Sequence, residues 1–264
     1  YKKNLILQGP PGVGKSFATA RIAYSMMGVV DKSRIETVQF HQSYSYEDFI
    51  RGYRPDEQGN LKPVDGIFLK FCDIARDDIE NDYFFVIDEI NRGNLSKIFG
   101  ELMFLIEKDK RGLSVKLAYE NPDNPYDGFS IPKNVFIIGT MNTADRSLAM
   151  VDYALRRRFV FYPLEPQFHS KKFQNYLIEK GVPEKLAKKV IDRLKALNDT
   201  IEGDEKHLGS GYKIGHSYFC PDGDSDKPDN DWYNRIIKFE IQPLLNEYWF
   251  DDLERANNEI ENLF

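Results

Sequence analysis

The stretch LILQGPPGVGKS, Leu5 to Ser16, decides the fold of this chain. Its first four residues are a short apolar run that predicts a buried strand, and a helical pattern with Ile22, Ala23 and Met26 on one face follows the glycines. Between them, GPPGVGKS fits the pattern G-x-x-x-x-G-K-[ST], whose glycines let backbone N–H groups surround phosphate oxygens at a helix N-terminus. The order strand, glycine loop, helix therefore predicts an α/β domain that binds a nucleotide.

Length and composition restrict the class of protein. The 264 residues, 41% of them hydrophobic, suffice for one large domain or for a domain with a smaller companion. No apolar run approaches the roughly 20 residues that span a bilayer, and the start lacks signal-peptide features, so we expect a cytoplasmic protein without membrane contact. Cys72 and Cys220 lie far apart, which predicts packing residues and neither disulfides nor a zinc site. A net charge of -6 argues against DNA binding by this chain alone.

The glycine loop and the residue after it are the predicted nucleotide contacts. Lys15 would neutralise the β- and γ-phosphates, and Ser16 would ligate Mg²⁺. The other expected contacts are Gly9, Pro10, Pro11, Gly12, Val13, Gly14 and Phe17.

A second predicted strand ends in two acids. In YFFVIDEINR, Tyr83 to Ile87 are nearly all apolar, as in a strand covered on both faces, and Asp88 and Glu89 follow at the carboxyl end, where open α/β sheets bind ligands. Asp88 would hold hydrated Mg²⁺, and Glu89 would orient and polarise the attacking water. The alternative is that these acids cap the next helix, which the glycine loop nearby makes the weaker interpretation.

A third predicted strand, VFIIGTMN, ends in Asn142, and the run ALRRRF follows a few residues later. The Asn142 amide both donates and accepts, so it would share the attacking water with Glu89. The planar guanidinium groups of Arg156, Arg157 and Arg158 suit a γ-phosphate in a neighbouring subunit. The alternatives are a turn role for Asn142 and a solvated helix end for the arginines.

Taken together, GPPGVGKS, FFVIDE, GTMN and ALRRRF resemble an AAA+ module with its Walker A, Walker B, sensor and arginine motifs. The segments QFHQSYSYEDFI, RGYRP, DEINR, MNTADRS and GHSYF further resemble the McrB family of GTPases from modification-dependent restriction systems, from about Leu5 to about Asp252. The resemblance implies an α/β AAA+ P-loop NTPase with a parallel sheet flanked by helices and a C-terminal helical lid. It also implies a hexameric ring that hydrolyses GTP with Mg²⁺, drives a McrC-like nuclease and engages and translocates DNA only through the full complex.

Several residue roles come from this resemblance. Asn142, Asp145 and Arg146 match the signature needed for hydrolysis, and Arg157 or Arg158 would be the arginine finger acting in trans. In GHSYF, which lies where AAA+ lids bring a second sensor to the nucleotide, His216 or Ser217 would reach the phosphates or the base. Other families often carry an arginine there, and a buried structural histidine is the open alternative.

The remaining segments predict the domain organisation. Two prolines in YPLEPQF suggest a large α/β subdomain at 1–165 and a helical lid at 166–264. RPDEQGNLKPVDG predicts a hairpin inserted into a helix, and a second hairpin is expected around Asn121 to Asp127. Helical spacing predicts core stripes at Leu95, Ile98, Leu102, Leu105 and Ile106; at Leu186, Val190, Leu194 and Leu197; and at Trp232, Ile236, Ile237 and Ile241, where Pro243 should end or kink the helix.

Three functions remain open at this point. They are a GTP-hydrolysing motor subunit, a MoxR-like ATP-dependent remodelling enzyme, and a nucleotide-gated assembly scaffold with little hydrolysis of its own. The motifs do not decide between GTP and ATP, because guanine is usually read by backbone and loop groups. The resemblance implies a separate module that reads modified cytosine, and the sequence begins close to the first strand. We therefore expect this chain neither to distinguish methylated DNA nor to cut it.

Overall fold

The structure is a computed structural model that describes residues 2–119, 128–145, 153–222 and 227–264. The described residues form two compact units. The first contains those of Tyr1–Gln8, Ser16–Met141 and Asp145–Pro163, and the second those of Gly9–Lys15, Asn142–Ala144 and Leu164–Phe264. Over these described ranges, every helix is too short or too polar to cross a membrane.

A five-stranded sheet forms the centre of the first unit. Numbered along the chain, its strands are β1 (Asn4–Gly9), β2 (Ile35–Gln39), β5 (Tyr83–Asp88), β8 (Val135–Asn142) and β9 (Val160–Pro163). Their order is β2-β5-β8-β1-β9, and β2 with β5, β5 with β8 and β1 with β9 are parallel pairs. The predicted fold class, a parallel sheet flanked by helices with a helical lid, is confirmed.

Aromatic side chains fill the core on both faces of β5. Phe84 stacks on Phe136 with ring centroids 5.1 Å apart. Residues next to each other along a strand point to opposite faces, so Phe85 joins a different cluster, around Phe49. Phe49 is fully buried, and its ring centroid lies 4.9 Å from that of Phe68.

Six helices and two hairpins complete the described part of the first unit. The helices are α1 (Lys15–Met27), α2 (Tyr46–Phe49), α3 (Ile67–Asp77), α4 (Leu95–Phe99), α5 (Leu102–Leu105) and α6 (Tyr153–Arg156). Between α2 and α3, the antiparallel strands β3 (Arg51–Pro55) and β4 (Leu61–Asp65) form the first predicted hairpin. The second consists of β6 (Val115–Lys116) and β7 (Gly128–Phe129), and its predicted loop at 121–127 lies outside the described residues.

The apolar stripe predicted after DEINR is buried, but it is not one helix. All five predicted residues are buried. The chain breaks between α4 and α5 at Gly100, which has a φ of 49°. A Cβ atom there would lie 2.9 Å from the Tyr46 ring, so glycine allows both the turn and the close approach of α2.

From Leu164 onward, the described residues of the second unit form α-helices joined by turns, loops and short 3₁₀ helices. Its helices are α7 (Lys171–Glu179), α8 (Glu184–Gly203), α9 (Asn230–Ile236), α10 (Gln242–Tyr248) and α11 (Leu253–Glu261). The predicted stripes on α8 and from Trp232 to Ile241 are buried in its core. Pro243 was predicted to end or kink the helix, and a π-helical turn at Ile237–Ile241 interrupts the α-helix just before it, which places Pro243 in the first turn of α10, where proline is tolerated.

The Phe49 side chain offers a test of the first unit's core. We expect Phe49→Ala to destabilise this unit by about 3–5 kcal/mol, because the mutation leaves a cavity among aromatic rings that cannot collapse. Phe104→Ala, at a side chain that is 44% exposed, should cost less than about 1 kcal/mol. Urea unfolding followed by circular dichroism measures both variants, and equal losses would contradict the assignment of the core.

Candidate functional site

Asp88, at the end of β5, lies beside two hydroxyl groups of the first unit. Its Oδ1 accepts a hydrogen bond from Ser16 Oγ at 3.2 Å and another from Thr140 Oγ1 at 2.5 Å. A hydroxyl and a carboxylate are oxygen ligands of the kind that Mg²⁺ prefers, and Mg²⁺ usually keeps several waters. No cluster of three His, Cys, Asp or Glu that could hold a metal occurs among the described residues. Ser16 and Asp88 therefore fit an ion bound mainly by water and phosphate oxygens.

Glu89 has an unusual backbone conformation. Its φ is 52° and its ψ 47°, and no other non-glycine residue of the described ranges has a positive φ. Its N–H donates to Thr140 Oγ1 at 3.1 Å. Left-handed conformations of non-glycine residues cost energy and cluster at functional sites, so this geometry sets Glu89 apart from a residue that merely begins the next helical turn. The sequence analysis missed Thr140, the residue of GTMN that contacts both acids.

Arg92 connects two predicted site residues. Its Nε lies 3.4 Å from Glu89 Oε2, and its Nη2 lies 3.1 Å from Asp145 Oδ2. The Asp145 of the MNTADRS signature is thus linked to Glu89 through one guanidinium group. Arg92 belongs to DEINR, but its role was not predicted. Arg146 lies outside the described residues.

The glycine loop of the second unit folds around its own lysine. Lys15 Nζ donates to the carbonyl oxygens of Gly9 and Pro10, each at 2.9 Å. Gly12 and Gly14 have φ angles of 75° and 78°, which L-residues rarely adopt. These features fit the predicted phosphate-binding loop, in which Lys15 would exchange these carbonyl oxygens for phosphate oxygens.

The GHSYF segment contacts the same loop through its backbone. Gly215 N–H donates to Pro11 O at 3.1 Å, and Ser217 N–H donates to Gly12 O at 2.8 Å. A Cβ atom on Gly215 would lie 2.0 Å from the Gly12 carbonyl carbon, and one on Gly12 would lie 2.6 Å from the Tyr218 ring. Glycines on both sides therefore permit the contact.

Asn142 and Thr143 lie at the end of β8. Asn142 Oδ1 accepts from Ala144 N–H at 3.1 Å, which is a local turn. Thr143 N–H donates to Gly9 O, and Thr143 Oγ1 donates to Gly211 O, both at 3.1 Å. The sensor segment therefore joins the glycine loop to the segment that leads into GHSYF, a link that the sequence analysis did not foresee.

His216 makes contacts typical of a structural histidine. Its Nδ1 accepts from Gln167 N–H at 3.3 Å, and its ring meets the Phe173 ring edge-to-face with centroids 5.3 Å apart. Burial lowers the pKa of His216 below its usual value, which favours the neutral ring that this acceptor role needs. These contacts support the structural alternative to a sensor.

The three arginines at the end of α6 and directly after it differ in exposure. Arg158 has a side chain 8% exposed, and its Nη2 lies 2.8 Å from Glu107 Oε1. Arg157 is 70% exposed, and its Nη2 lies 3.3 Å from the same oxygen. Arg156 is also exposed. Because a finger must reach beyond its own subunit, this geometry favours Arg157 over Arg158.

Comparison with known proteins places these features in a family. The family model described as AAA domain (dynein-related subfamily) matches residues 4–159, and McrB, alpha-helical lid domain, matches residues 189–257. The Type IV methyl-directed restriction enzyme EcoKMcrB subunit of Escherichia coli K12 is 53% identical over 256 residues, 95% of this chain and 55% of that protein. The Type II restriction enzyme BsuMI component YdiS of Bacillus subtilis is 29% identical over 204 residues, 64% of this chain and 59% of that protein.

The chain spans about half the length of the curated relatives it matches, 55% and 59%. A solved putative ATPase from Cytophaga hutchinsonii is 14% identical over 77% of this chain and 62% of its own, with a TM-score of 0.40.

Gly215 offers a test of the backbone contact. We expect Gly215→Ala to weaken nucleotide binding roughly tenfold or more, because its Cβ would displace the glycine loop. Gly203→Ala is the matched control, since its Cβ would meet no atom within 4 Å. Titration with a fluorescent nucleotide measures affinity, and thermal denaturation confirms folding. Equal affinities of the two variants would show that the contact is unimportant for binding.

Proposed function

We propose that this chain, which belongs to the AAA domain family in its dynein-related subfamily and is homologous to an McrB subunit, is the GTP-hydrolysing motor subunit of a restriction system. The observation that carries the proposal is the arrangement at the end of β5, where Asp88 meets Ser16 and Glu89 adopts a positive φ beside it. A magnesium ligand followed by a water-activating carboxylate is what phosphoryl transfer to water requires.

Each of the predicted site residues has a role in the reaction that we propose. The loop Gly9–Lys15 binds the phosphates through backbone N–H groups and the Lys15 ammonium. Ser16 and Asp88 would hold Mg²⁺, which would neutralise charge on the phosphates, and Glu89 accepts the proton of the attacking water. Asn142 orients that water. Phe17, which follows Ser16, is 62% exposed and stacks on Arg21. Its exposure supports the proposed contact with the nucleotide.

The assembly that we propose is a hexameric ring in which Arg157 acts on a neighbour's γ-phosphate. Its exposure supports this role, and Arg158 would hold the segment in place. A McrC-like nuclease subunit is the proposed partner, and DNA would be engaged by the full complex in the cytoplasm. The proposed subunit consists of a large α/β subdomain at 1–165 and a helical lid subdomain at 166–264.

Two other functions would use the same residues. A MoxR-like ATP-dependent remodelling enzyme would share the hairpin β3/β4, which the structure contains. A nucleotide-gated assembly scaffold would bind without turnover, and the Glu89 geometry argues against it. The resemblance of MNTADRS and GHSYF to McrB proteins supports GTP over ATP.

The variant Glu89→Gln tests hydrolysis and base preference together. It keeps the side-chain shape but loses the carboxylate, so kcat should fall by about 10²- to 10⁴-fold while nucleotide still binds. Equilibrium titration of this variant should then show tighter binding of labelled GTP than of labelled ATP. Full turnover in the variant would refute the role of Glu89, and tighter ATP binding would favour the remodelling enzyme.

Mixing variants tests the finger in trans. Arg157→Ala should lower kcat by about 10³-fold, because the charge on the transferring phosphoryl group loses its partner. Mixing it with Glu89→Gln should restore activity, since the latter binds nucleotide and supplies an intact arginine to its neighbour. Arg156→Ala is the control for an exposed arginine and should be nearly as active as wild type. Absence of rescue would indicate a role within one subunit.

A further inference from the structure

A buried arginine in the first unit has only uncharged partners among the bonds that the structure describes. Arg111 is 4% exposed. Its Nε donates to Ile106 O and its Nη1 to Val135 O, each at 3.3 Å, and its Nη2 donates to Asn4 Oδ1 at 2.8 Å. Burial lowers the pKa of Arg111 to about 10. Burying a guanidinium group is costly, and an apolar side chain could fill such a space at lower cost, so its presence calls for an explanation.

Asn4, the first residue of β1, forms a hydrogen-bonded cluster with Arg111 and the Ile106 carbonyl. Asn4 also bonds to the finger segment, residues 155–159, which includes Arg157. It is 2% exposed, and its Nδ2 donates to Ile106 O at 2.8 Å and to Arg158 O at 3.1 Å. With Oδ1 accepting from Arg111, each polar atom of the amide has a partner. Asn4 thereby fixes the backbone of Arg158.

The same cluster lies next to Glu107, the carboxylate that contacts the arginine side chains. Ile106 O accepts from both Asn4 and Arg111, and the next residue is Glu107, whose Oε1 contacts Arg157 and Arg158. The cluster therefore holds the backbone of the finger segment directly, through Arg158 O. It holds Glu107 indirectly, through the Ile106 carbonyl of the peptide that joins the two residues.

Two apolar residues hold the segment from its other side. Leu155 and Phe159 are each 1% exposed and belong to the core of the first unit. The N–H groups of Arg158 and Phe159 both donate to Leu155 O at 2.9 Å. Core packing alone would keep the segment in place. The hydrogen bond from Asn4 additionally fixes the orientation of the Arg158 carbonyl group, because hydrogen bonds depend on angle as well as distance.

We propose that Asn4 and Arg111 are positioning residues for the arginine finger. They contact neither Arg157 Nη2 nor its target, and act through Arg158 O and Glu107. The inference rests on the trans role of Arg157 proposed above. Its physical basis is that a displacement of about 1 Å can cost about 10²-fold in rate, so a rigid, directional support of an arginine that reaches a neighbour has a large effect.

The variant Asn4→Leu tests this role. It retains a similar volume but removes the hydrogen bonds to Arg158 O and Arg111. We expect kcat to fall by roughly ten- to a hundredfold with KM changed less than about twofold, because the nucleotide site of the subunit itself is intact. Mixing with Glu89→Gln should restore activity, as it does for Arg157→Ala. If Asn4 were merely structural, its mutation would lower stability, and mixing with Glu89→Gln would not restore activity.

Asn134→Leu is the matched control. Asn134 is 5% exposed, and its Nδ2 donates to the carbonyl oxygens of Ala75, Asp78 and Asn81, away from the finger. It should lower the melting temperature by a similar amount, and mixing should not raise its activity. Should Asn4→Leu fail to fold, Arg111→Lys is the second variant, since it keeps the positive charge but loses the planar guanidinium group that donates three hydrogen bonds. Mixing with Glu89→Gln should restore its activity as well.

The outcomes separate this inference from the proposed function. Rescue of Asn4→Leu or Arg111→Lys, without rescue of Asn134→Leu, supports the positioning role. Rescue of Arg157→Ala with none for Asn4→Leu and Arg111→Lys overturns it and leaves the finger in place. If Arg157→Ala is not rescued, the trans finger and the positioning role both fail.

Discussion

The chemistry of the first unit depends on the parallel register between β5 and β8. Ile87 is aligned with Gly139, so the following residues Asp88 and Thr140 meet where β5 ends. Thr140 Oγ1 donates to Asp88 Oδ1 and accepts from the N–H of Glu89. A shift of one residue would turn Thr140 to the other face of the sheet, and both acids would lose this anchor.

The same register explains a glycine in the middle of β8. A Cβ atom on Gly139 would lie 2.8 Å from the Ile90 side chain, which is fully buried. Glycine therefore lets Ile90 pack against β8 directly after Glu89. This fixes the short turn Ile90–Arg92, and the turn places Arg92 between Glu89 and Asp145. Strand register, a missing side chain and a positive φ together determine where the Glu89 carboxylate lies.

Local patterns were sufficient to predict the fold, because strands, the glycine loop and amphipathic helices are each encoded within about ten residues. The contacts of the candidate site were not predictable in this way. Thr140 lies 51 residues from Glu89 and 52 from Asp88, and the backbone donors of GHSYF leave no side-chain signal at all. Nor does the sequence distinguish Arg157 from Arg158, because adjacent arginines look alike in the sequence and their shared contact Glu107 lies 50 residues before Arg157.

A run of arginines is typical of a solvated helix end, but Arg157 and Arg158 differ in exposure and in their distance to Glu107. Two guanidinium groups contact Glu107 Oε1, so the pair keeps a net positive charge beside one carboxylate. The buried Arg158 depends more on that carboxylate, because water cannot replace it there, whereas the exposed Arg157 contact at 3.3 Å is screened and weak. Arg157 can therefore leave Glu107 at little cost while Arg158 still holds the segment. A single arginine could not both hold the segment at Glu107 and move away from Glu107.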